Sequence, residues 1–373
     1  MVHMSNGKRL VSTVTSESKV HLSIEEFQVP GLGPDEVLIE VGASPINPSD
    51  LGVLLAGADV STVSAAGNGL VLSLPDGAID GLVGRVGQPM PVGNEGSGVV
   101  IEVGGGEQAG ALHGKVVAVL AGGMYATHRV VKARDCLVLE EGTKALDAAS
   151  CFVNPLTALG MTESMRLEGH SAIVHTAAAS NLGQMLNRIC VDDGIELVNI
   201  VRREEHVKLL KNQGASFVVN STSPDFRNDL VDACTKTGAT IGFDAVGGGD
   251  LATEILHAME IAASSSGGEY SRYGSTTHKQ MYVYGGLDRG PTLLKRSYGM
   301  AWGVAGWLLP NFLAKVGPAR SSELRQRVAT ELATTFASSY SDTLSLESIL
   351  DMNQMEKYSQ MSTQGKSLVC PQL

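Results

Sequence analysis

The hydrophobic pattern changes character along the chain. Between residues 8 and 140 apolar and polar positions alternate in short runs, at 19–22, 36–41, within 92–103, and at 115–120 and 125–131, separated by Gly- and Pro-containing turns. A two-residue period interrupted this often predicts many short β-strands and a partly closed β structure. From Asp147 onward the pattern becomes helix–strand alternation. A helical stretch over 148–165, broken at Asn154-Pro155, leads into strands at 171–175, 196–201, 217–219, 241–245 and 279–284. Helical spacing lies between them, at 184–190, 204–213 and 251–261. Repeated units of this kind predict a parallel, doubly wound sheet. The tail, 340–373, holds a short helix around 346–352 and a strand at 367–369 that returns to the first domain.

The stretch 171–203, SAIVHTAAASNLGQMLNRICVDDGIELVNIVRR, is strand, small-residue turn, helix and strand, the form of a dinucleotide-binding βαβ unit. Small residues let the backbone approach a pyrophosphate, and the free N–H groups of the helix N-terminus bind its charge. The glycine positions of a G-x-x-G-x-x-G turn fall on Ala177, Ser180 and Gly183, of which only the last is Gly. The second strand ends in Arg202-Arg203 with no acidic residue before Glu204. Adjacent guanidinium groups there suit a 2′-phosphate rather than a free ribose hydroxyl, which points to NADPH. The alternative reading of the two Arg is solvated surface charge.

Two further stretches stand out. Prolines bracket Asn47 in PINPSD, so the chain there is extended up to Asp50. Residues 56–90 are rich in Gly, Ala and Ser and long for a connection, so they are expected to form a loosely held lid or substrate loop, with a plain surface excursion as the alternative.

Composition narrows the function. The chain has 373 residues, enough for two domains, and a net charge of −11 without any basic block, which argues against a nucleic-acid partner. There is no 18-residue apolar run and no signal-peptide core, so no membrane span is expected. The longest apolar patch, 300–309, is broken by Gly303 and Gly306 and reads as a buried or interface segment. The five cysteines show no metal-type spacing and fit a reducing, cytoplasmic setting. His175, at a strand end, reads as a buried histidine rather than a ligand.

Seven short motifs occur in one order: NPSD at 47–50, GNEGSGVV at 93–100, VNPLTALG at 153–160, the 177–183 turn, VRRE at 201–204, FDAVGG at 243–248 and VYGGL at 283–287. Together they resemble the medium-chain dehydrogenase/reductase superfamily in its zinc-independent branch, over nearly the whole chain. Quinone oxidoreductases and 2-enoyl thioester reductases look most similar. The resemblance implies an α/β fold, with a GroES-like partly closed β-barrel domain over 1–150 and 318–373 and a Rossmann-type NADPH-binding domain over 151–317.

What the resemblance implies for the site can be stated residue by residue. Asn47 and Thr157 contact the nicotinamide half. Ala179, Ser180, Asn181 and Leu182 line the pyrophosphate, and Arg202 and Arg203 hold the 2′-phosphate. Ala245, Val246 and Gly247 flank the ribose, while Gly285, Gly286 and Leu287 pass the nicotinamide. Zinc-dependent relatives place their ligands at positions matching Asn47, Asn94 and Val153, so no metal is expected here. The enoyl reductase branch has a Tyr proton donor shortly after NPSD. This chain reads LLAGAD at 54–59 instead, leaving the proton donor open, with Tyr125 and Tyr284 as weak substitutes and Asn47 and Tyr125 the only catalytic candidates. The expected activity is NADPH-dependent hydride transfer to a small-molecule electron acceptor, a quinone or an α,β-unsaturated carbonyl. Enoyl-thioester reduction, or a non-catalytic NADPH-binding role in redox sensing or structure, is the alternative. A homodimer joined near an unpaired strand at 279–284 is also expected.

Overall fold

Six short strands line up in one parallel sheet, in the spatial order Phe217–Asn220, Glu196–Val201, Ala172–His175, Ile241–Asp244, Lys279–Val283 and Trp302–Gly306. Numbered along the chain this is 3-2-1-4-5-6, the doubly wound order. The three central strands are buried along nearly their whole length and rich in Ile, Val and Leu, as sheets covered on both faces require. Helices such as Phe226–Thr237 and Leu251–Ser265 pack Leu230, Ile255, Leu256 and Met259 against Val174, Val198 and Met281. Each such side chain removed from water contributes about 1.5–3 kcal/mol.

This computed structural model describes residues 6–265, 271–360 and 366–373, so the first five residues of the amino-terminal stretch lie outside it. The chain divides into two compact units, 154–324, which carries the parallel sheet, and 1–153 with 325–373. Pro155 falls in the first turn of the helix Val153–Leu167. An N–H missing there has no intrahelical partner to lose, so the expected break is a helix start. Helix Leu309–Thr330 is interrupted at Gly317, whose φ of +79° precedes Pro318.

The other unit is built from two mainly antiparallel sheets. One runs Asp59–Ala66, Gly69–Ser73, Lys19–Gln28, Asn6–Val14 and Pro89–Pro91. The second is organised on Glu36–Pro45, which pairs with Gly96–Val103 and His128–Lys132 and, at its end, with the tail strand Lys366–Val369. Neither sheet closes into a barrel among the described residues.

Two expectations are corrected. Residues 56–90 are not a loosely held loop. They form a hairpin, a 3₁₀ helix at Ala78–Arg85 and the strand Pro89–Pro91, and Gly69–Ser73 pairs with Lys19–Gln28. Leu70, Leu72 and Leu74 are buried among Leu22, Leu51 and Leu54. Gly69 sits so close to the neighbouring strand that a Cβ would lie 2.1 Å from the Leu22 carbonyl oxygen. The Leu-x-Leu-x-Leu period was present in the sequence and was masked by the surrounding small residues. Second, Lys279–Val283 is not an edge. Trp302–Gly306 pairs with it in parallel and forms the edge itself. That strand was hidden by its two glycines. At Gly303 a Cβ would meet the flexible end of the Gln280 side chain, 2.6 Å from its Oε1.

Candidate functional site

The parallel sheet reverses its winding between Ala172–His175 and Ile241–Asp244, and ligands of such sheets bind at the carboxyl ends of the strands there. The turn after the first of these strands has glycine geometry with little glycine. Ala177 adopts φ +49°, in the left-handed region, at a cost of about 1–2 kcal/mol for an L-residue. Ser180 caps the helix Asn181–Asp193 by accepting from Gly183 N at 3.1 Å. Gly183 is indispensable for contact: a Cβ would stand 2.3 Å from Ala178 O. Ala179 is buried, while Ser180, Asn181 and Leu182 are half-buried around the start of the helix.

The neighbouring strand Glu196–Val201 delivers Arg202 and Arg203 to its end, both exposed. Their environments differ. Arg203 pairs with Glu205 at 3.1 Å, whereas Arg202 has no ion pair among the described residues. The third strand end is held by a compact set of hydrogen bonds. Thr176 Oγ1 donates to Asp244 Oδ1 at 2.7 Å and accepts from Ala245 N at 2.8 Å. Asp244 also accepts from Val246 N and Gly247 N, at 2.8 and 3.1 Å. The turn at 245–247 is therefore shaped by Thr176 and Asp244, and the FD of the motif was the signal for it. Gly247 has φ +83°, and a Cβ on Gly285 would lie 2.6 Å from Ala245 O, so these two glycines let the strand ends approach. Gly286 and Leu287 are exposed, and Thr157 is buried on Val153–Leu167.

His175 is fully buried, and its Nε2 lies 2.7 Å from the Tyr284 hydroxyl, with the rings stacked. Burial pushes the imidazole down to about 3, so it is neutral, and it raises the Tyr284 phenol. The two side chains form a core pair through that one contact, while His175 Nδ1 is buried without a hydrogen-bond partner among the described residues.

In the other unit, NPSD, GNEG and the end of the 152–153 segment converge on two buried carboxylates. Asp50 accepts from Asn47 N at 2.8 Å and from Asn94 N at 2.7 Å. Glu95 Oε2 accepts from Phe152 N at 2.8 Å and Val153 N at 3.0 Å, and its Oε1 accepts from Asn47 Nδ2 at 2.8 Å. Lys366, on the tail strand, donates to Asn47 Oδ1 at 2.6 Å. Burial is the main cause of all three titration shifts. It raises Asp50 to about 7, raises Glu95, and lowers Lys366 to about 8, with the Asp50 and Glu95 charges partly restoring the lysine. Asn47 itself is 1% exposed, with both ends of its amide occupied. Tyr125 is fully buried and its hydroxyl donates to Pro45 O at 3.1 Å. Lys366 carried no sequence signal, because only the tail strand's pairing brings it to Asn47.

The donor set at the positions matching metal ligands is Asn, Asn and Val. Among the described residues no three His, Cys, Asp or Glu side chains could hold a metal ion.

No family model matches the chain. Among curated proteins it is 26% identical over 279 residues to a mitochondrial enoyl-[acyl-carrier-protein] reductase of Xenopus tropicalis, covering 72% of this chain and 67% of the relative. It is 24% identical over 288 residues to an NADPH quinone oxidoreductase of Kluyveromyces marxianus, covering 73% and 67%. Among solved structures, one assigned as an NADPH:quinone reductase from Mesorhizobium loti matches over 100% of both chains, with a TM-score of 0.73 and 25% identity. These relatives and solved structures are consistent with the medium-chain dehydrogenase/reductase superfamily. A mutant enoyl thioester reductase from Candida tropicalis shares the fold, with a TM-score of 0.69, 18% identity and coverage of 98% and 100%. The curated matches span about two thirds of the relatives' length, 67% and 64% for two of the enoyl reductases. In the Ala177–Gly183 turn it is Ala177, at the first glycine position, that takes the left-handed backbone.

Proposed function

We propose that the protein is a zinc-independent, NADPH-dependent reductase acting on a quinone or an α,β-unsaturated carbonyl, with the unit 154–324 as the Rossmann-type cofactor domain and the other as a GroES-like domain. The observation that carries this reading is the Ser180-capped helix start at the sheet's switch point, with Arg202 and Arg203 at the next strand end. The names of the relatives support the substrate class. NADPH, when bound, supplies the hydride. Ala179 to Leu182 bind the pyrophosphate through helix N-terminal N–H groups, Arg202 and Arg203 take the 2′-phosphate, and the 245–247 and 285–287 turns border the ribose and nicotinamide. Thr157 and Asn47 serve the nicotinamide side, and Asn47 is the residue of the GroES-like unit that we assign to the reaction.

Asn47, Asn94 and Val153 offer no thiolate or imidazole for zinc, which supports zinc-independence. Tyr125 spends its hydroxyl on Pro45 O, which favours quinones, whose reduced oxygens take protons from solvent. We place the protein in the cytoplasm, consistent with five free cysteines, and assign a homodimer joined at the edge strand Trp302–Gly306. No helix of the described residues is long and apolar enough to cross a membrane.

The test is steady-state NADPH oxidation with a quinone panel beside a 2-enoyl thioester. Quinone turnover is the expected result. Faster thioester reduction moves the assignment to an enoyl-thioester reductase, and tight NADPH binding with no turnover of either class makes the protein a non-catalytic binder.

A further inference from the structure

The amide of Asn47 is held by groups of opposite hydrogen-bonding character. Its oxygen faces Lys366 Nζ, which only donates, and its NH₂ faces Glu95 Oε1, whose carboxylate already accepts two backbone N–H groups on its other oxygen. A flipped amide sets donor against donor at Lys366 and acceptor against acceptor at Glu95, so one orientation is enforced. Among the described residues the same ammonium is the cation whose charge bears on both Asp50 and Glu95. We propose that Lys366 is a positioning residue of the reduction: by donating to Asn47 Oδ1 it fixes that amide, and with Asp50 and Glu95 it ties the 47–50, 94–95 and 152–153 segments to the tail strand. The inference rests on the reading above that Asn47 serves the reaction.

The cluster also has its own titration. Besides Asp50 and Glu95, the ionisable neighbours are Tyr125, which feels Asp50 and Glu95, then Tyr340 and Cys151 beside Glu95, and Tyr358 behind Tyr125. Burial raises all four of these, so Asp50, at about 7, and Lys366, at about 8, are the groups that change charge near neutrality. Removing the ammonium leaves two buried carboxylates facing each other, and their protons are then released at higher pH.

The experiment compares wild type with Lys366→Met and Lys366→Arg in the full chain. Expected for Lys366→Met is a fall in kcat of about ten-fold with KM and the NADPH dissociation constant within about two-fold, the signature of lost positioning. The pH profile of kcat moves upward, and Lys366→Arg, which keeps a cationic donor, recovers part of the rate. A folded Lys366→Met with unchanged kcat and pH profile overturns the proposal. Should that variant fail to fold, Lys366→Gln, a neutral donor one atom shorter, takes its place, and an unmoved pH profile of kcat then overturns the proposal. Carbon-13 titration of the Asp50 and Glu95 carboxyls separates this inference from the functional reading. If wild type reduces no quinone or enone, an upward-shifted carboxyl titration in the variant still supports Lys366 as the cluster's organising cation, and an unmoved one overturns it.

Discussion

Glu95→Gln is the sharpest probe of the buried cluster. Glu95 has three partners, Phe152 N, Val153 N and Asn47 Nδ2, and all three donate. A neutral acid would carry a proton with no acceptor among them, so the carboxylate form persists despite burial. A glutamine has one accepting oxygen. Turned toward Phe152 and Val153 it keeps two bonds and sets its NH₂ against the Asn47 NH₂. Asn47 cannot relieve the conflict by flipping, because its nitrogen would then face the Lys366 ammonium. One charge-assisted bond is lost outright, which costs about 1.5–3 kcal/mol. The escape is deprotonation of Lys366, because a neutral amine accepts from a flipped Asn47. Without Glu95 the lysine loses the larger of the two charges that hold its proton, so its pKa falls below about 8. Urea unfolding followed by circular dichroism should therefore show a loss of about 2 kcal/mol at pH 6 that shrinks below about 1 kcal/mol at pH 9. Hydrogen exchange should place the loss at the peptides around Asn47, Glu95 and Phe152. Equal stability of variant and wild type at pH 6, or a loss of the same size at both pH values, refutes the hydrogen-bond accounting.

Further outcomes follow from other parts of the structure. Gly183→Ala drives a Cβ into Ala178 O and should cost about 1–3 kcal/mol by thermal or urea unfolding while weakening NADPH binding in a fluorescence titration. Arg202→Ala should weaken NADPH binding by about 1.5–3 kcal/mol and leave NADH unaffected, and Glu205→Ala, which frees Arg203, should tighten NADPH in the same titration. Leu72→Ala should destabilise by about 2–5 kcal/mol, an effect that a loose lid at 56–90 would not show. Asp50 has its pKa raised from 3.8 to about 7, so the folded state binds the extra proton and Asp50's contribution to stability falls as pH rises from 4 to 7; Asp50→Asn should flatten that part of the stability–pH curve.

The amino-acid sequence by itself determined the local units. The apolar runs at 171–175, 196–201 and 241–245 and the helical spacing between them were enough to predict a parallel, doubly wound sheet, because a buried strand and an amphipathic helix each leave a period that neighbours in sequence can read. The Arg202-Arg203 pair at a strand end was equally visible, since a strand end is a local feature. Where small residues diluted the period, the signal failed. Leu70, Leu72 and Leu74 passed for a loop, and the glycine-bearing Trp302–Gly306 passed for a patch rather than the sheet's edge. Only the tertiary structure decided the cluster around Asn47. Asp50 and Glu95 sat in quoted motifs, yet nothing near them in the chain announces a counter-charge, and Lys366 stands 319 residues from Asn47. A buried charge takes its partner from whichever segment packing brings within hydrogen-bond reach, and here that segment is the tail strand paired to the end of Glu36–Pro45.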